Sequence, residues 1–202
     1  ITFIASLINF EALKKGKLSV VEVIFEIELP ITIMLSLIFF KEQLTTNQIV
    51  AMSGVFLGII LIAREKGNFK IGHMLEKGAL LAILGAIAMG VVNFLTGTAS
   101  KTISPVMAIW MPGIVFSIMC LVVIAQREGI GRFSANALKY KWVILGMGIF
   151  DTLAWTFYAI ALFDNSIAIT TSITEAYPAL ALFLGVWFNK ERIDMHQYFG
   201  AV

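Results

Sequence analysis

Long blocks of apolar residues, separated by short polar stretches, are the main pattern of the chain. A membrane-spanning helix needs about 20 mostly apolar residues, with a range of about 17–25. Five of the six blocks meet this length, and the shorter block at 48–63 is supported by its neighbours. The pattern predicts an all-α polytopic membrane protein rather than a β-barrel, whose strands would alternate in character at every other residue. The blocks are residues 18–40, 48–63, 78–98, 105–125, 142–163 and 166–188.

Composition supports this class. The chain is 59% hydrophobic and only 14% charged, whereas a soluble domain carries about 25% charged residues. Its single cysteine, Cys120, lies inside an apolar block and can form no internal disulfide, so we interpret it as a small core residue.

The basic residues predict the orientation of the chain. All fifteen Lys and Arg lie outside the apolar blocks, and crossing the membrane at each block sorts them into two sides. One side holds thirteen of them, and the other holds only Lys41 and Lys101. The positive-inside rule therefore places the first side in the cytoplasm. The loops are short, so no extramembrane domain is predicted.

Two segments of the chain, 10–48 and 157–197, repeat the same order of features. Each has a serine, an apolar helix with a mid-depth proline, a Lys-Glu turn and a glutamine that opens the next helix. Equivalent loops fall on opposite sides of the membrane, so the repeats are predicted to be inverted, as in many secondary transporters. The matched pairs are Phe10 with Phe157, Ala12 with Ala159, Ser19 with Ser166, Pro30 with Pro178, Lys41 with Lys190, Glu42 with Glu191 and Gln48 with Gln197.

These features resemble the EamA-like family of the drug/metabolite transporter superfamily. In both copies a proline-containing helix runs into a Lys-Glu turn, and a helix of small residues follows. The resemblance implies a ten-helix carrier with a central cavity that works by alternating access. The members compared keep both termini in the cytoplasm, whereas the loop charges here place the termini of a completed chain outside. The resemblance is carried by Glu28-Leu29-Pro30, Phe40-Lys41-Glu42, Glu175-Ala176-Tyr177-Pro178 and Asn189-Lys190-Glu191.

The repeat also predicts how the chain is divided. Residues 1–66 would be the C-terminal part of a first EamA-like repeat that lacks its first two spans and part of the third. Residues 67–77 would be the inter-repeat loop, and residues 78–202 a second EamA-like repeat with a truncated last span. The complete protein would then contain about ten spans, five in each inverted repeat.

Acidic side chains inside the predicted spans are the strongest functional candidates. A charge in a bilayer is unfavourable by about 2.5–3.5 kcal/mol on insertion scales, and such residues usually mark transport pathways. Glu28, Asp151 and Glu175 lie about 14–15 Å deep at 1.5 Å per residue, too deep to reach the interface. Glu26 is intermediate, and Glu22 is shallow enough to extend towards Lys17.

The two mid-span prolines predict unpaired backbone carbonyls near these carboxyl groups. A proline inside a helix removes one N–H bond to the carbonyl four residues earlier. Pro30 would free the carbonyl of Glu26, and Pro178 that of Thr174, which helical spacing places on the face of Glu175. Because a free carbonyl in a membrane needs protein or a hydrated cavity, we expect a polar pocket beside both prolines.

Uncharged residues complete the candidate site. Asn93 lies deep in its span, where a core hydrogen bond and a substrate contact are equally consistent with the sequence. Trp110 and Tyr177 are candidates to line a pocket, although aromatic side chains in spans more often serve packing. Small residues spaced by four predict close helix packing. They are Gly78, Ala82, Ala86 and Gly90 in one row, and Gly54 and Gly58 in another.

We therefore predict a secondary carrier of a small organic metabolite or drug, in the inner membrane of a prokaryotic cell. Burial disfavours the charged form of a carboxyl group, which suits the acidic residues to proton coupling. Acidic and no basic residues in the spans favour a cationic or zwitterionic substrate. The alternatives are a non-transporting receptor or scaffold and an intramembrane enzyme; for the latter no catalytic pair is present in the spans. No cofactor, metal site or nucleic-acid partner is predicted, and no phosphate-binding glycine loop occurs.

Overall fold

The computed structural model describes residues 1–16, 21, 24–63, 77–127, 130–189 and 195–201, and the regular structure in these ranges is helical. The prediction of an all-α protein is confirmed. In chain order the helices are α1 (Thr2–Lys15), α2 (Glu28–Phe39), α3 (Thr46–Ala63), α4 (Lys77–Thr102), α5 (Pro105–Arg127), α6 (Ile130–Lys139), α7 (Lys141–Asp164), α8 (Ile167–Thr174), α9 (Tyr177–Asn189) and α10 (Met195–Ala201).

Three of these helices contain stretches long and apolar enough to cross a membrane: Gly78–Thr102, Pro105–Gln126 and Lys141–Asp164. Two shorter apolar helices, Glu28–Phe39 and Thr46–Leu61, accompany them. Helices suit this environment because they satisfy their own backbone hydrogen bonds. The prediction of a polytopic membrane protein is confirmed by these helices.

Two apolar blocks, 18–40 and 166–188, are not continuous helices, contrary to the sequence interpretation. The first is interrupted by a turn at Glu26 and Ile27, the second by a turn at Glu175 and Ala176. Pro30 is the third residue of α2 and Pro178 the second residue of α9. The first turn of a helix has no internal partner for its N–H groups, so proline is tolerated there. The prolines therefore lie just inside new helices rather than in the middle of long ones.

The chain forms two compact units. One comprises Thr96–Asp164, in which α5, α6 and α7 contact one another. Helix α6 was not predicted, because its short mixture of apolar and polar residues lies in a region assigned to a loop. The other unit comprises Ile1–Leu95 together with Asn165–Val202. The predicted inter-repeat loop at 67–77 lies almost entirely outside the described residues.

The predicted small-residue row on α4 packs closely against other helices of the Ile1–Leu95 segment. Ala82 and Ala86 are fully buried. At Gly90 an added Cβ would lie 2.8 Å from Ile31 Cγ2 and 2.9 Å from the Glu28 carbonyl oxygen of α2. The two glycines of the second row differ in their surroundings. Gly58 faces the backbone of Gly200 in α10, whereas nothing lies within 4 Å of a Cβ added at Gly54. Close approach therefore depends on Gly90 and Gly58 and not on Gly54.

Replacing Gly90 by alanine is expected to destabilise the protein by about 1–3 kcal/mol, because the methyl group overpacks the contact between α4 and α2. The measurement is the thermal unfolding temperature of the purified protein in detergent. Gly54→Ala is the matched control, since its added methyl group meets no neighbour. An unchanged unfolding temperature for Gly90→Ala would show that the two helices can separate without loss of stability.

Candidate functional site

Asn93 brings the two deep glutamates together. Its Nδ2 donates to Glu28 Oε1 at 2.6 Å and approaches Glu175 Oε1 at 3.5 Å, the long limit for such a bond. The two carboxylate oxygens therefore cannot be further apart than the sum of these distances, about 6 Å. One amide group carries two N–H donors and can serve both carboxylates at once. We call these three residues the carboxyl–amide cluster.

Helix breaks position the two carboxyl groups of the cluster. Glu28 is the first residue of α2, directly after the turn at Glu26 and Ile27, and Glu175 is the C-cap of α8. The contact between α2 and α8 brings both breaks towards Asn93 on α4. Broken helices are typical of the substrate and ion sites of secondary transporters.

Thr32 holds α2 against α4 one turn beyond Glu28. Its hydroxyl group contacts the Gly90 carbonyl at 3.2 Å and the Glu28 carbonyl at 3.0 Å. Thr32 is fully buried, so these acceptors replace water. The close approach at Gly90 and this threonine together set the distance between Glu28 and Asn93.

The cluster offers hydrogen-bond acceptors in excess of donors. Asn93 is 1% exposed, and its Oδ1 has no partner among the described residues. Within the same ranges neither Glu28 nor Glu175 forms an ion pair with Lys or Arg. Each carboxylate can accept several hydrogen bonds, and the Asn93 side chain directs its only N–H donors towards them. The described residues therefore leave hydrogen-bond acceptor capacity in the cluster unused.

Glu26 is buried at 9% exposure in the turn before α2. Its backbone carbonyl accepts from the Leu29 amide at 3.3 Å. The prediction that Pro30 leaves this carbonyl unpaired is wrong, because the tightened turn supplies a donor three residues later instead of four.

The cavity beside Pro30 is also unlike the predicted polar pocket. It has a volume of about 410 Å³ between α2 and α3, and its lining is apolar except for Ser53. No polar surroundings are required here, because the Glu26 carbonyl is already paired with the Leu29 amide. The lining residues are Leu29, Pro30, Ile33, Met34, Leu37, Ile38, Leu44, Ile49, Met52, Ser53 and Phe56.

The other candidates near the second break lie at the surface of the described chain. Thr174 is exposed, and its hydroxyl group donates to the Thr170 carbonyl at 2.8 Å. Tyr177 is 58% exposed, and Pro178 is half-buried. The turn at Glu175 and Ala176 changes the helix direction, so the face predicted to hold Thr174, Glu175 and Pro178 together is interrupted.

Asp151 and Trp110 belong to the Thr96–Asp164 unit. Asp151 is exposed on α7, and Trp110 is 54% exposed on α5. The structure does not include them in the carboxyl–amide cluster. Within the described residues no group of three His, Cys, Asp or Glu could hold a metal ion.

Glu42 has a structural partner that the sequence did not reveal. It was interpreted only as a marker of the repeat, yet its carboxylate binds the start of α8 at Ser166. Ser166 before an apolar run is a signal for a helix N-cap, and its side chain does accept from the Ile169 amide. No local pattern indicates the second acceptor, which comes from 124 residues earlier.

Comparison with known proteins identifies a family for the chain. The sequence profile of the EamA-like transporter family matches residues 1–64 and 76–202. The chain belongs to the EamA-like transporter family. The family lies in the drug/metabolite transporter superfamily and is a family of transporters, not of enzymes. This EamA-like chain is thus part of an integral membrane protein.

A curated relative of the EamA-like chain is the uncharacterized protein MJ1333.1 of Methanocaldococcus jannaschii. The two are 42% identical over 60 residues, which are 30% of this chain and 44% of that protein. The matched region therefore spans less than half the length of this relative, whose name assigns no activity.

Proposed function

We propose that the protein is a secondary active transporter of a small organic cation or zwitterion. The carboxyl–amide cluster carries this proposal, since it places two carboxylates and one amide where two helices are broken. Substrate sites of secondary transporters are commonly formed at such breaks near the bilayer midplane. Membership of the EamA-like family supports transport as the general activity.

The excess of acceptors supports a positively charged substrate. An ammonium or guanidinium group donates several hydrogen bonds, and hydrogen bonds between charged groups are about twice as strong as neutral ones. Such a group would satisfy Glu28, Glu175 and the unpaired Oδ1 of Asn93 together. An anionic substrate would instead meet two carboxylates without a basic residue among their described partners.

Proton exchange fits the same site. A cation bound between two carboxylates is neutralised by them, and after its release two bare carboxylates within about 6 Å would repel each other. Uptake of a proton would remove that repulsion and let the empty carrier return. The proposed cycle is therefore exchange of a substrate cation against protons by alternating access around the cluster.

The proposed architecture is a pair of inverted five-helix repeats in the membrane of a prokaryotic cell. The two breaks support the relation between the copies, since each lies directly before the matched proline. The family match supports it as well, because the stretch between its two segments, 65–75, overlaps the predicted inter-repeat loop at 67–77.

A panel of radiolabelled solutes tests the proposal. The full-length protein is reconstituted in proteoliposomes, with and without an imposed pH gradient, and uptake of primary amines, guanidines, amino acids and organic anions is compared. We expect gradient-dependent accumulation of at least one cationic or zwitterionic solute, above the passive accumulation measured in protein-free liposomes. Binding of such solutes without uptake would favour a receptor, and uptake confined to anions would contradict the proposed site.

A further inference from the structure

Glu42 forms a three-bond clamp on the start of α8. Its Oε2 accepts from the Ser166 hydroxyl group at 2.7 Å and from the Ala168 amide at 3.2 Å, and its Oε1 accepts from the Ile167 amide at 2.7 Å. The first N–H groups of a helix have no internal partner, and the helix dipole favours a negative charge there. The carboxylate therefore binds a site that suits it in both hydrogen bonding and charge.

The loop that carries Glu42 is shaped for this contact. Lys41, directly before it, has a φ of 51°, which is the only positive φ outside glycine among the described residues. Residues other than glycine rarely adopt this backbone conformation, and it persists only where the surrounding structure enforces it. The backbone at Lys41 thus turns the chain from the end of α2 towards α8.

The clamp and the carboxyl–amide cluster hold the same two helices at opposite ends. Helix α2 runs from Glu28 towards Glu42, and α8 runs from Ser166 to Glu175, so the contacting helices are antiparallel. Asn93 bridges them at one end, and the Glu42 carboxylate joins them at the other. The pair is therefore closed along its length.

Both helices of this pair carry buried small polar side chains. Thr32 and Ser36 of α2 and Thr171 of α8 have no exposed surface, and Ser172 of α8 is 2% exposed. Such residues would be suited to line a polar path if the helices separated, because each carries a hydroxyl group that can bond to water or to a solute.

We propose that Glu42 is a latch that closes one end of the pathway to the carboxyl–amide cluster. Opening at this end requires α2 and α8 to part, and parting breaks the three hydrogen bonds to the Glu42 carboxylate. The latch rests on the proposed transport function. The loop charges predict that it lies on the outer side of the membrane, because Lys41, next to Glu42, belongs to the side with only two basic residues.

Thiol labelling tests the latch without a known substrate. In a Cys120→Ala background, Ser36→Cys or Thr171→Cys supplies a buried reporter on either helix, and a membrane-impermeant maleimide is applied to each side in turn. We expect Glu42→Gln to raise the labelling rate from one side by about tenfold or more, because its new NH₂ group faces three donors. Gln43→Ala, an exposed neighbour in the same loop, is the matched control and should label like the parent protein. Equal labelling of the Glu42→Gln and parent proteins overturns the proposal.

A cross-link tests the same idea with a second substitution, if Glu42→Gln does not fold. Glu42→Cys combined with Ser166→Cys is treated with a short, reducible bifunctional thiol reagent. We expect the cross-linked protein to stop exchanging solute and to resume after reduction, whereas exchange at the parent rate with the cross-link intact contradicts the latch. Labelling reports the latch even if no solute is transported, so failure of the proposed function and failure of the latch give different results.

Discussion

Uptake of a cationic substrate is expected to fall by about 10²-fold or more when Glu28 or Glu175 is replaced by glutamine. Removing one partner of a buried charge pair is unfavourable by about 3–5 kcal/mol, and each 1.4 kcal/mol corresponds to a factor of ten in binding. Glutamine keeps the size of the side chain and removes only the charge. The measurement is the initial rate of uptake in proteoliposomes at several substrate concentrations, which separates KM from the maximal rate.

Each glutamine variant should also lose its response to a pH gradient. A side chain that cannot take up a proton cannot couple substrate movement to protons, so residual uptake should be the same with and without the gradient. Glu11→Gln is the matched control, because Glu11 pairs with Lys15 at a half-exposed helix end. Such surface pairs contribute little. Normal, gradient-dependent uptake by both cluster variants between about pH 5 and 8 would contradict the coupling role.

Asn93→Asp is expected to impair transport more than Asn93→Leu, although aspartate is closer to asparagine in shape. The aspartate substitution places an acceptor where the amide now donates to Glu28, and like charges in a buried site repel strongly. Asn93→Leu removes the donor alone, with an expected decrease in substrate affinity of about tenfold or more, whereas Asn93→Asp adds a third carboxylate to the cluster. Substrate affinity and thermal stability are measured for both variants.

A second asparagine whose side-chain oxygen is buried provides the control for this test. Asn9 of α1 packs against Gly85, and its Oδ1 has no partner among the described residues, but it lies outside the cluster. Asn9→Leu should leave substrate affinity unchanged. If Asn93→Asp transports like the parent protein, the shared amide donor is not needed and the carboxyl–amide cluster does not operate as proposed.

Several features follow from sequence alone because they depend on local chemistry. Apolar blocks of about 20 residues predict helices in a bilayer, since only self-satisfied backbone is stable there. The position of Glu28 and Glu175 inside apolar blocks is likewise visible in the sequence. The burial of Ala82, Ala86 and Gly90 follows from their spacing, because residues four apart share one helix face.

The helix breaks show the limit of local reasoning. Pro30 and Pro178 indicate a disturbance, but a proline is equally compatible with a kink in a long helix and with the first turn of a new one. The structure has the second arrangement, and the carbonyl of Glu26 is paired in consequence. The predicted polar pocket depended on the first arrangement, and the cavity beside Pro30 is apolar instead.

The amino-acid pattern was enough to predict a helical membrane protein with acidic residues inside its apolar segments, because both properties depend on the character of single segments. The packing of the helices decided which of these residues come into contact. Glu28 and Asn93 are 65 residues apart, Asn93 and Glu175 are 82 apart, and Glu42 and Ser166 are 124 apart. Contacts over such separations depend on which helix faces pack together, and that choice is made by small residues and buried hydrogen bonds on several helices at once. The sequence of one segment therefore does not show which helix faces pack together.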